Sequence, residues 1–518
     1  MLLKGDCLGP LKPKFRFIGL ILVLCFKGPL YADSEINSKS SSNNAIQLPR
    51  LDSQILNNDT PPQLSNNGKE DRQFRLIVQA IEEHTGKKLS QEDVADKFVA
   101  FYQLNLEHFK EEKILNQYRP EAVEQIQSLM DLTFTKDSGR LVLTGHGKTK
   151  EFSLRKNLDW IAKESVKQAE KLAGAESKTG LPILWFLWVE ASLDVLDSPY
   201  NYYIYANEMA ADEAMRMGKT FGPGLIPEIS GESVVVRKVF DPALEKLGLT
   251  ENSTLTALDG EALAAENSHL FNKWLQPEKF HYQVSFKRND TVKTVEAEAI
   301  PYRYPTLTWA KIRDFVYVRI SQFSRDSLIE LRRLFRLFKQ TPPKGLVIDL
   351  RGNPGGVANI GLVDCFFKPG ELIGTYKEIG HDVSDTVEGT IEYYDYPAAL
   401  LVDSLSASMS EVFTAAFLKN KRGAVIGEKT FGKGVGQSCQ PIGQEGRLCL
   451  VEYTFYYPGT ENTWDGVGIS PDIQVEISEG DRKQVYAFLS ETIPDLEAQV
   501  KIDPVLNKAL SFLGDNGQ

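Results

Sequence analysis

The stretch GLVIDLRGNPGGVANIG, residues 345–361, places a short apolar strand directly before a glycine-rich turn. A second stretch, AALLVDSLSASMSEVFTAAF at residues 398–417, runs from an apolar strand through small residues into a helix. Further strand-like and helix-like segments alternate around them. Such alternation is typical of an α/β layer built on a mixed sheet. We therefore predict a mixed-sheet α/β core over residues 303–478.

The segments outside this core predict three further structural parts. Residues 218–302 contain β-like pieces around the short helix DPALEKLGL, which indicates a compact α+β module. Residues 71–200 carry apolar residues at three- and four-residue spacing and predict an N-terminal helical domain, with RLVLTGHGKTKEFSL as a strand pair or a loop. Residues 479–518 predict a C-terminal helical segment that is exposed.

The N-terminus resembles an export signal. Basic residues precede the apolar run FIGLILVLCF, and a cleavage site is predicted after Ala32, so residues 1–32 form the predicted signal peptide. The run is too short for an ordinary membrane span of about 20 residues. An uncleaved N-terminal anchor is the alternative. Residues 33–70, rich in polar residues, predict a disordered linker.

Composition and cysteine spacing narrow the function classes. A formal net charge of -11 argues against a general nucleic-acid binder, which would show a basic face. No CxxC or His/Cys cluster occurs, so no metal site and no cofactor are predicted. Cys439 and Cys449 flank a turn and could face each other across a hairpin. A disulfide and two half-buried thiols are both consistent with this pattern.

Ser408 and Lys433 are the candidate reactive residues. Ser408 stands at a strand-to-helix transition, where a side chain is exposed and free helix N–H groups can stabilise negative charge. Helix capping is the structural alternative for this serine. The six histidines fall in no catalytic pattern. Lys433 lies between two glycines after a strand, and a buried lysine can act as a base; a surface lysine on a glycine turn is the alternative.

Five ordered motifs resemble those of the tail-specific, or C-terminal processing, peptidases: YVRISQF, VIDLRGNPGG, LVDSLSASMSE, GEKTFGKGVGQ and GVGISPD. The resemblance covers roughly residues 195–475 and implies a crotonase-like protease core. It also implies a role for each matching residue. Ser408 would be the nucleophile, Lys433 the general base, and Gln437 the residue that holds the lysine amine. The backbone N–H groups of Gly356 and Met409 would form the oxyanion hole, although the family usually has alanine at the position of Met409.

The same resemblance implies that the 218–302 module is a PDZ-like domain inserted before the core. PDZ domains bind an extended C-terminal peptide by strand addition. The loop FGPGL would bind the peptide carboxylate through Gly222, Gly224 and Leu225. Pro223 has no backbone N–H, so this loop has one donor fewer for a carboxylate.

Taken together, the sequence predicts an exported serine endopeptidase that recognises C-terminal tails of protein or peptide substrates and cleaves upstream of them. A bacterial periplasm is the expected location. An adaptor or activating protein and a homo-oligomer are further partners that the sequence leaves open. Two other functions remain open as well: a PDZ-type peptide-binding scaffold with an inactive protease domain, and an esterase on the same core.

Overall fold

A computed structural model of the chain describes residues 69–109, 127, 129–173, 182–196, 198–205, 209, 212, 219–230, 233–263, 281–288, 291–298, 300–303, 306–357, 363–380, 384–388, 393–443, 446–489 and 496–515. The predicted signal peptide and nearly all of the predicted linker lie outside these residues. The described chain divides into two compact units: the first contains residues of Glu35–Met209 and Gln437–Leu450, and the second contains residues of Ala210–Gly436 and Val451–Gln518.

Four helices of the first unit lie where apolar spacing predicts them: α1 Lys69–Thr85, α2 Gln91–Phe109, α3 Leu158–Leu172 and α4 Pro182–Asp194. Helix α4 is apolar all round and almost fully buried, as expected for a helix surrounded by others. Aromatic side chains fill the centre of the unit. The rings of Phe98 and Trp188 stack with their centroids 4.2 Å apart.

The first unit is not purely helical, which corrects the prediction for residues 71–200. Strands β1 Leu132–Asp137, β2 Arg140–Gly145 and β3 Lys148–Ser153 form an antiparallel sheet. Leu132 and Phe134 alternate with exposed residues in β1, so their period of two suits a strand with one buried face. The strand-pair alternative was therefore right for β2 and β3 but missed β1.

The remaining strands of the first unit come from distant parts of the chain. Strand β4 Tyr202–Tyr205 pairs antiparallel with residues 446–449. Those residues begin β21 Gly446–Tyr456, which follows β20 Val435–Pro441 in the chain, and the carbonyl of Gly446 accepts the N–H of Ile442. Cys439 and Cys449 are joined by a disulfide, one of the two alternatives that the sequence left open.

The second unit contains a six-strand sheet at the predicted 218–302 module, five strands of which follow one another in a single order. The order is β11 Thr291–Glu298, β10 His281–Arg288, β8 Thr254–Leu258, β7 Ser233–Val239 and β6 Leu225–Ser230. The short strand β9 Glu261–Ala262 pairs with β8, and β5 Lys219–Gly222 pairs with β12 Ile300–Arg303. Helix α5 Pro242–Lys246 begins at Asp241, whose side chain accepts the N–H of Ala243. Among the described residues, β6 is the last strand on its side of the sheet.

A six-strand mixed sheet forms the core of the second unit. Its order is β13 Leu307–Ile312, β14 Phe315–Ile320, β15 Leu346–Asp349, β18 Ala398–Val402, β19 Ala424–Gly427 and β22 Ile473–Gln474. The first pair is antiparallel and all later neighbours are parallel. Strands β16 Leu372–Glu378 and β17 Ser384–Glu388 pair with each other, and β16 also pairs with residues 453–456 of β21.

Helices cover both faces of this mixed sheet. Helices α6 Arg325–Gln340 and α7 Met409–Lys419 contribute to one apolar core. Helices α8 Glu479–Leu489, α9 Leu496–Ile502 and α10 Pro504–Asp515 contribute to the other. No helix within the described ranges is both long and apolar enough to cross a membrane.

The prediction that residues 479–518 are exposed was wrong. Helix α10 buries Val505, Leu506 and Leu510 on the face that points into the sheet core, and α8 buries Val485 and Leu489. The apolar residues recur at three- and four-residue spacing, so each helix presents one apolar stripe to the sheet.

Candidate active site

Three sequence motifs meet at one edge of the mixed sheet. Strands β15, β18 and β19 are parallel neighbours, so the loops that follow them all leave from the same edge. These loops are residues 350–357, 403–408 and 428–434, named below the glycine loop, the serine loop and the lysine loop. In open α/β sheets, the carboxyl edge of parallel strands is where functional groups gather.

Asn353 joins the glycine loop to the serine loop. Its carbonyl accepts the N–H of Ala407 at 3.0 Å and the hydroxyl of Ser410 at 2.9 Å. Its side-chain oxygen accepts the N–H of Gly355, and its side-chain amide donates to the carbonyl of Ile320. The backbone carbonyl of Asn353 therefore joins the glycine loop to the serine loop and to α7, while its buried side chain fixes the glycine loop internally and to the end of β14.

Ser408 is the residue that precedes α7, and its backbone is strained. Its φ is 55° and its ψ is -114°, whereas an ordinary N-cap residue adopts extended backbone angles with negative φ. A positive φ costs a residue with a Cβ atom free energy on the order of 1–3 kcal/mol. Capping alone needs no such strain. The observation therefore favours a functional reason for this conformation.

Glu411, in the first turn of α7, is a buried carboxylate that the sequence interpretation missed. Its Oε2 accepts the N–H of Ser408 at 3.0 Å and the N–H of Lys433 at 2.7 Å. Its Oε1 accepts the hydroxyl of Thr430 at 2.6 Å and the N–H of Gly432 at 2.7 Å. Burial raises the pKa of Glu411 to about 6, and these four hydrogen bonds act against that rise. The spacing of Ser408 and Glu411 matches a capping box, a local signal that could have identified this residue.

Lys433 is buried, with 8% of its surface exposed, rather than lying on a solvent-exposed turn. Its two glycine neighbours are required by close packing. A Cβ atom on Gly432 would lie 2.8 Å from the nitrogen of Gly468, and one on Gly434 would lie 2.7 Å from the nitrogen of Asp465. The GVGISPD motif and the residue before it thus enclose the lysine loop. Burial raises the pKa of Asp465, while the N–H of Gly434 and the charge of Lys433 act against that rise.

The glycine loop lies against the start of α7. A Cβ atom on Gly355 would approach the Cβ of Ser408 to 2.8 Å and the nitrogen of Met409 to 2.9 Å. The N–H of Phe323 donates to the carbonyl of Gly355, and the carbonyl of Phe323 accepts the N–H of Val357. In a parallel bridge of this kind, the N–H of the intervening Gly356 points to the opposite side. The N–H of Met409 is among those that a helix leaves without an intrahelical acceptor.

Gln437 and the disulfide belong to the first unit. Gln437 is half-buried in β20, and its side-chain amide donates to the carbonyl of Tyr200 at 3.0 Å. The role of Gln437 toward Lys433 stays a prediction.

The predicted peptide-binding loop lies between β5 and β6. Gly222, Pro223, Gly224 and Leu225 are all buried. Gly224 has a φ of 68°, and its carbonyl accepts the N–H of Phe240 at 2.7 Å. The loop is therefore held firmly against the start of α5, and its role in carboxylate binding stays a prediction. Among the described residues, no group of histidine, cysteine or acidic side chains could hold a metal ion.

The chain resembles known peptidases in its second half. Residues 314–475 match the family model of peptidase family S41. The carboxy-terminal-processing protease of Bartonella bacilliformis is 27% identical over 292 residues, covering 54% of this chain and 66% of the relative. The carboxyl-terminal-processing protease of a Picosynechococcus species is 27% identical over 325 residues, covering 60% of this chain and 76% of the relative.

Two solved structures align with most of their own length. The photosystem II D1 C-terminal processing protease is 22% identical with a TM-score of 0.37, covering 63% of this chain and 92% of that structure. Mature CPAF is 12% identical with a TM-score of 0.32, covering 64% and 93%.

Proposed function

We propose that this chain, a member of the C-terminal processing peptidase family through its peptidase family S41 domain, is an exported serine endopeptidase. Its substrates are proteins or peptides that it binds by their C-terminal tails and cleaves at an upstream peptide bond. Ser408 is the nucleophile and Lys433 the general base.

One observation carries this proposal: a single oxygen of Glu411 accepts the N–H of Ser408 and the N–H of Lys433. The two backbone nitrogens are therefore no farther apart than the sum of the two hydrogen-bond lengths. A capping box accounts for the bond from Ser408, but the same buried carboxylate also accepts the N–H of Lys433 and so joins a strained serine to a buried lysine. It suits a site in which a nucleophile and its base must keep a fixed geometry.

The proposed reaction is an acyl transfer in two steps. Burial disfavours a charged ammonium, so a buried lysine is suited to accept a proton. Neutral Lys433 accepts the proton of the Ser408 hydroxyl, and Oγ attacks the peptide carbonyl carbon. Lys433 then returns the proton to the leaving amine. Water hydrolyses the acyl-enzyme with Lys433 again as base.

The backbone N–H groups of Gly356 and Met409 stabilise the oxyanion in this mechanism. Loss of one such donor costs about a hundredfold or more in kcat in serine proteases. The close approach of the glycine loop to the start of α7 supports this pair. Gln437 completes the proposed site by orienting the lysine amine.

The 218–302 module supplies tail recognition in this proposal. Strand β6 pairs with β7 on one side, and its other edge ends the six-strand sheet as far as the described residues go. An unpaired edge can accept an extended peptide as an added strand. Gly222, Gly224 and Leu225 stand at the start of that strand, where a terminal carboxylate would bind. Pro227 interrupts the edge with a residue that has no N–H, so pairing should be limited to few residues.

The test compares two pairs of variants. Ser408→Ala and Lys433→Ala should reduce cleavage of an unstructured protein to background, while Ser404→Ala and Lys429→Ala, at exposed positions in the same loops, should retain it. Circular dichroism checks that each variant is folded. A fluorescent peptide with a free C-terminal carboxylate should be cleaved faster than its C-terminal amide.

Three outcomes would favour other functions. Cleavage that survives in Ser408→Ala contradicts the nucleophile assignment. Peptide binding without any cleavage by the wild type indicates a binding scaffold with an inactive protease domain. Ester hydrolysis without peptide cleavage indicates an esterase.

The predicted signal peptide supports export, and a bacterial periplasm is the proposed location. The disulfide of Cys439 and Cys449 agrees with an oxidising compartment. An adaptor or activating protein and a homo-oligomer stay proposed partners. Fractionation of cells that express the full chain would test the location: recovery in the cytoplasmic fraction with residues 1–32 still attached would contradict it.

A further inference from the structure

The C-terminal segment Glu479–Asp515, made of α8, α9 and α10, contacts the roots of all three loops of the candidate active site. We propose that this segment positions the glycine, serine and lysine loops for catalysis through three separate polar contacts. The catalytic half of this inference rests on the proposed function, whereas the positioning of the loops does not.

The first contact anchors the glycine loop. Arg351, at the start of that loop, is almost completely buried between two carboxylates. Its guanidinium donates to Asp349 and, through both terminal nitrogens, to Asp503 at 2.9 and 2.8 Å. Burial opposes the charge of Arg351, but the two carboxylates outweigh burial and raise its pKa. Planar two-nitrogen pairing of this kind fixes orientation as well as distance.

Asp503 is itself fixed within the C-terminal segment. Its Oδ1 accepts the N–H groups of Val505 and Leu506 at the start of α10, and its Oδ2 accepts the side-chain amide of Gln499. The residue thus caps α10 and pairs with Arg351 at the same time. Any shift of α10 is transmitted to the arginine that begins the glycine loop.

The second contact anchors the serine loop. The hydroxyl of Tyr486 in α8 donates to Oδ2 of Asp403, the residue that follows β18. The other oxygen of Asp403 accepts the N–H of Gly352 at 2.9 Å, the N–H of Leu405 at 3.0 Å and the hydroxyl of Ser406 at 3.1 Å. Burial raises the pKa of Tyr486 well above its usual value, so its hydroxyl keeps its proton and donates. One tyrosine therefore orients a carboxylate that holds both the serine loop and the glycine loop.

The third contact anchors the lysine loop. Arg482 in α8 forms a two-nitrogen pair with Glu428, at 3.0 and 2.6 Å, directly after β19. This pair is partly exposed, so it should contribute less than the contact through Arg351.

These contacts are more specific than packing requires. The apolar stripes of α8 and α10 already bury several leucines and valines against the sheet. Buried charges add little net stability compared with well-packed apolar residues, and their best-supported use is to select one geometry. Contacts placed at the root of each catalytic loop suit that use.

The experiment uses three variants of the full chain that each remove one contact. Asp503→Asn keeps the N-cap of α10 because asparagine caps as well as aspartate, but it weakens the pair with Arg351. Tyr486→Phe removes only a hydroxyl, and Arg482→Gln removes the pair with Glu428. Gln484→Ala and Lys508→Gln, at exposed positions of α8 and α10, are the matched controls.

Two measurements are made on every variant. Hydrogen–deuterium exchange should speed up in the glycine and serine loops for Asp503→Asn and Tyr486→Phe, with no change in β7 and β8 of the 218–302 module. Steady-state cleavage should show kcat lower by about ten- to a hundredfold for these two variants, with KM unchanged, since small misplacements of reacting groups act on kcat. Arg482→Gln should show a smaller loss and faster exchange in the lysine loop. Asp503→Glu, which keeps the carboxylate, should retain part of the kcat that Asp503→Asn loses.

The two measurements separate the possible failures. Loop exchange that stays at the wild-type rate in Asp503→Asn and Tyr486→Phe overturns the inference, whatever the activity. Faster exchange with unchanged kcat overturns its catalytic half. Faster exchange in a chain whose wild type cleaves no peptide bond leaves the positioning correct and refutes the proposed function instead.

Discussion

Replacing Glu411 by glutamine should separate the stability of the fold from the activity of the site. The carboxylate accepts four hydrogen bonds, from Ser408, Thr430, Gly432 and Lys433. A glutamine side chain has one oxygen, so two of these donors would face an NH2 group and lose their acceptor. Each buried donor left unsatisfied costs about 1–3 kcal/mol.

Removal of the buried charge offsets part of this loss. The shift of the Glu411 pKa from 4.5 to about 6 means that the folded environment disfavours the carboxylate by about 2 kcal/mol. At neutral pH, the free energy of unfolding of Glu411→Gln should therefore fall by at most about 4 kcal/mol. The kcat should fall by about a hundredfold, because the serine and lysine loops lose their shared acceptor.

The pH dependence of the free energy of unfolding shows whether the Glu411 carboxylate causes the difference in stability. A raised pKa means that the folded state binds this proton more tightly than the unfolded chain. Protonated Glu411 therefore contributes about 2 kcal/mol to the free energy of unfolding. This contribution is fully present below about pH 4.5 and is lost as the pH rises through about 6. Glu411→Gln should lack this slope.

Activity should show the opposite trend. Like glutamine, protonated Glu411 has only one carbonyl oxygen to accept hydrogen bonds, whereas the carboxylate has two accepting oxygens. The ratio of wild-type kcat to that of Glu411→Gln should be constant above pH 7 and approach one below pH 5, with a midpoint at about 6.

The assay is steady-state cleavage of an unstructured protein from pH 5 to pH 8, with unfolding by denaturant at the same pH values. Glu476→Gln, at an exposed carboxylate of the same unit, is the control and should change neither quantity. Thr430→Val removes one donor and should lower kcat by a smaller factor. A variant with wild-type kcat, or a ratio independent of pH, would refute the reasoning.

Two further predictions concern the backbone and the disulfide. Gly355→Ala should destabilise the protein by about 2–5 kcal/mol and abolish cleavage, because its Cβ atom would lie 2.8 Å from that of Ser408 at a φ of 99°. Gly370 has a similar φ of 85°, but a Cβ atom there would meet no atom within 4 Å, so Gly370→Ala should lose only the free energy of backbone strain. Equal decreases in the unfolding temperature of the two variants would contradict the proposed contact. The disulfide of Cys439 and Cys449 closes a short loop and should contribute about 2–3 kcal/mol. In a variant with both Cys439→Ser and Cys449→Ser, dithiothreitol should leave the unfolding temperature unchanged. The same treatment should lower the unfolding temperature of the wild type to that of this variant. An equal response of both proteins would show that the disulfide does not cause the difference in stability.

Much of the second unit could be predicted because its elements are encoded by contiguous residues. Strands β15, β18 and β19 are short apolar runs, and each leads into glycines or small residues that mark a turn. The sheet over 132–153 was harder, because β1 has only two buried side chains and lies next to helical patterns. The exposure of the C-terminal helices was misjudged because polar residues on one face of α10 hide an apolar stripe on the other.

The order of the motifs, the α/β alternation and the position of Ser408 at a strand-to-helix junction were all determined by sequence alone. Each motif, strand and helix start is encoded by residues that lie close together in the chain, and their spacing carries the information. The role of Glu411 and the pairing of Arg351 with Asp503 were decided only by the tertiary structure. The latter pair is separated by 152 residues, and such a contact leaves no periodic trace in either segment. Only packing of the sheet and its helices brings these charges together, and burial then requires that each find its partner.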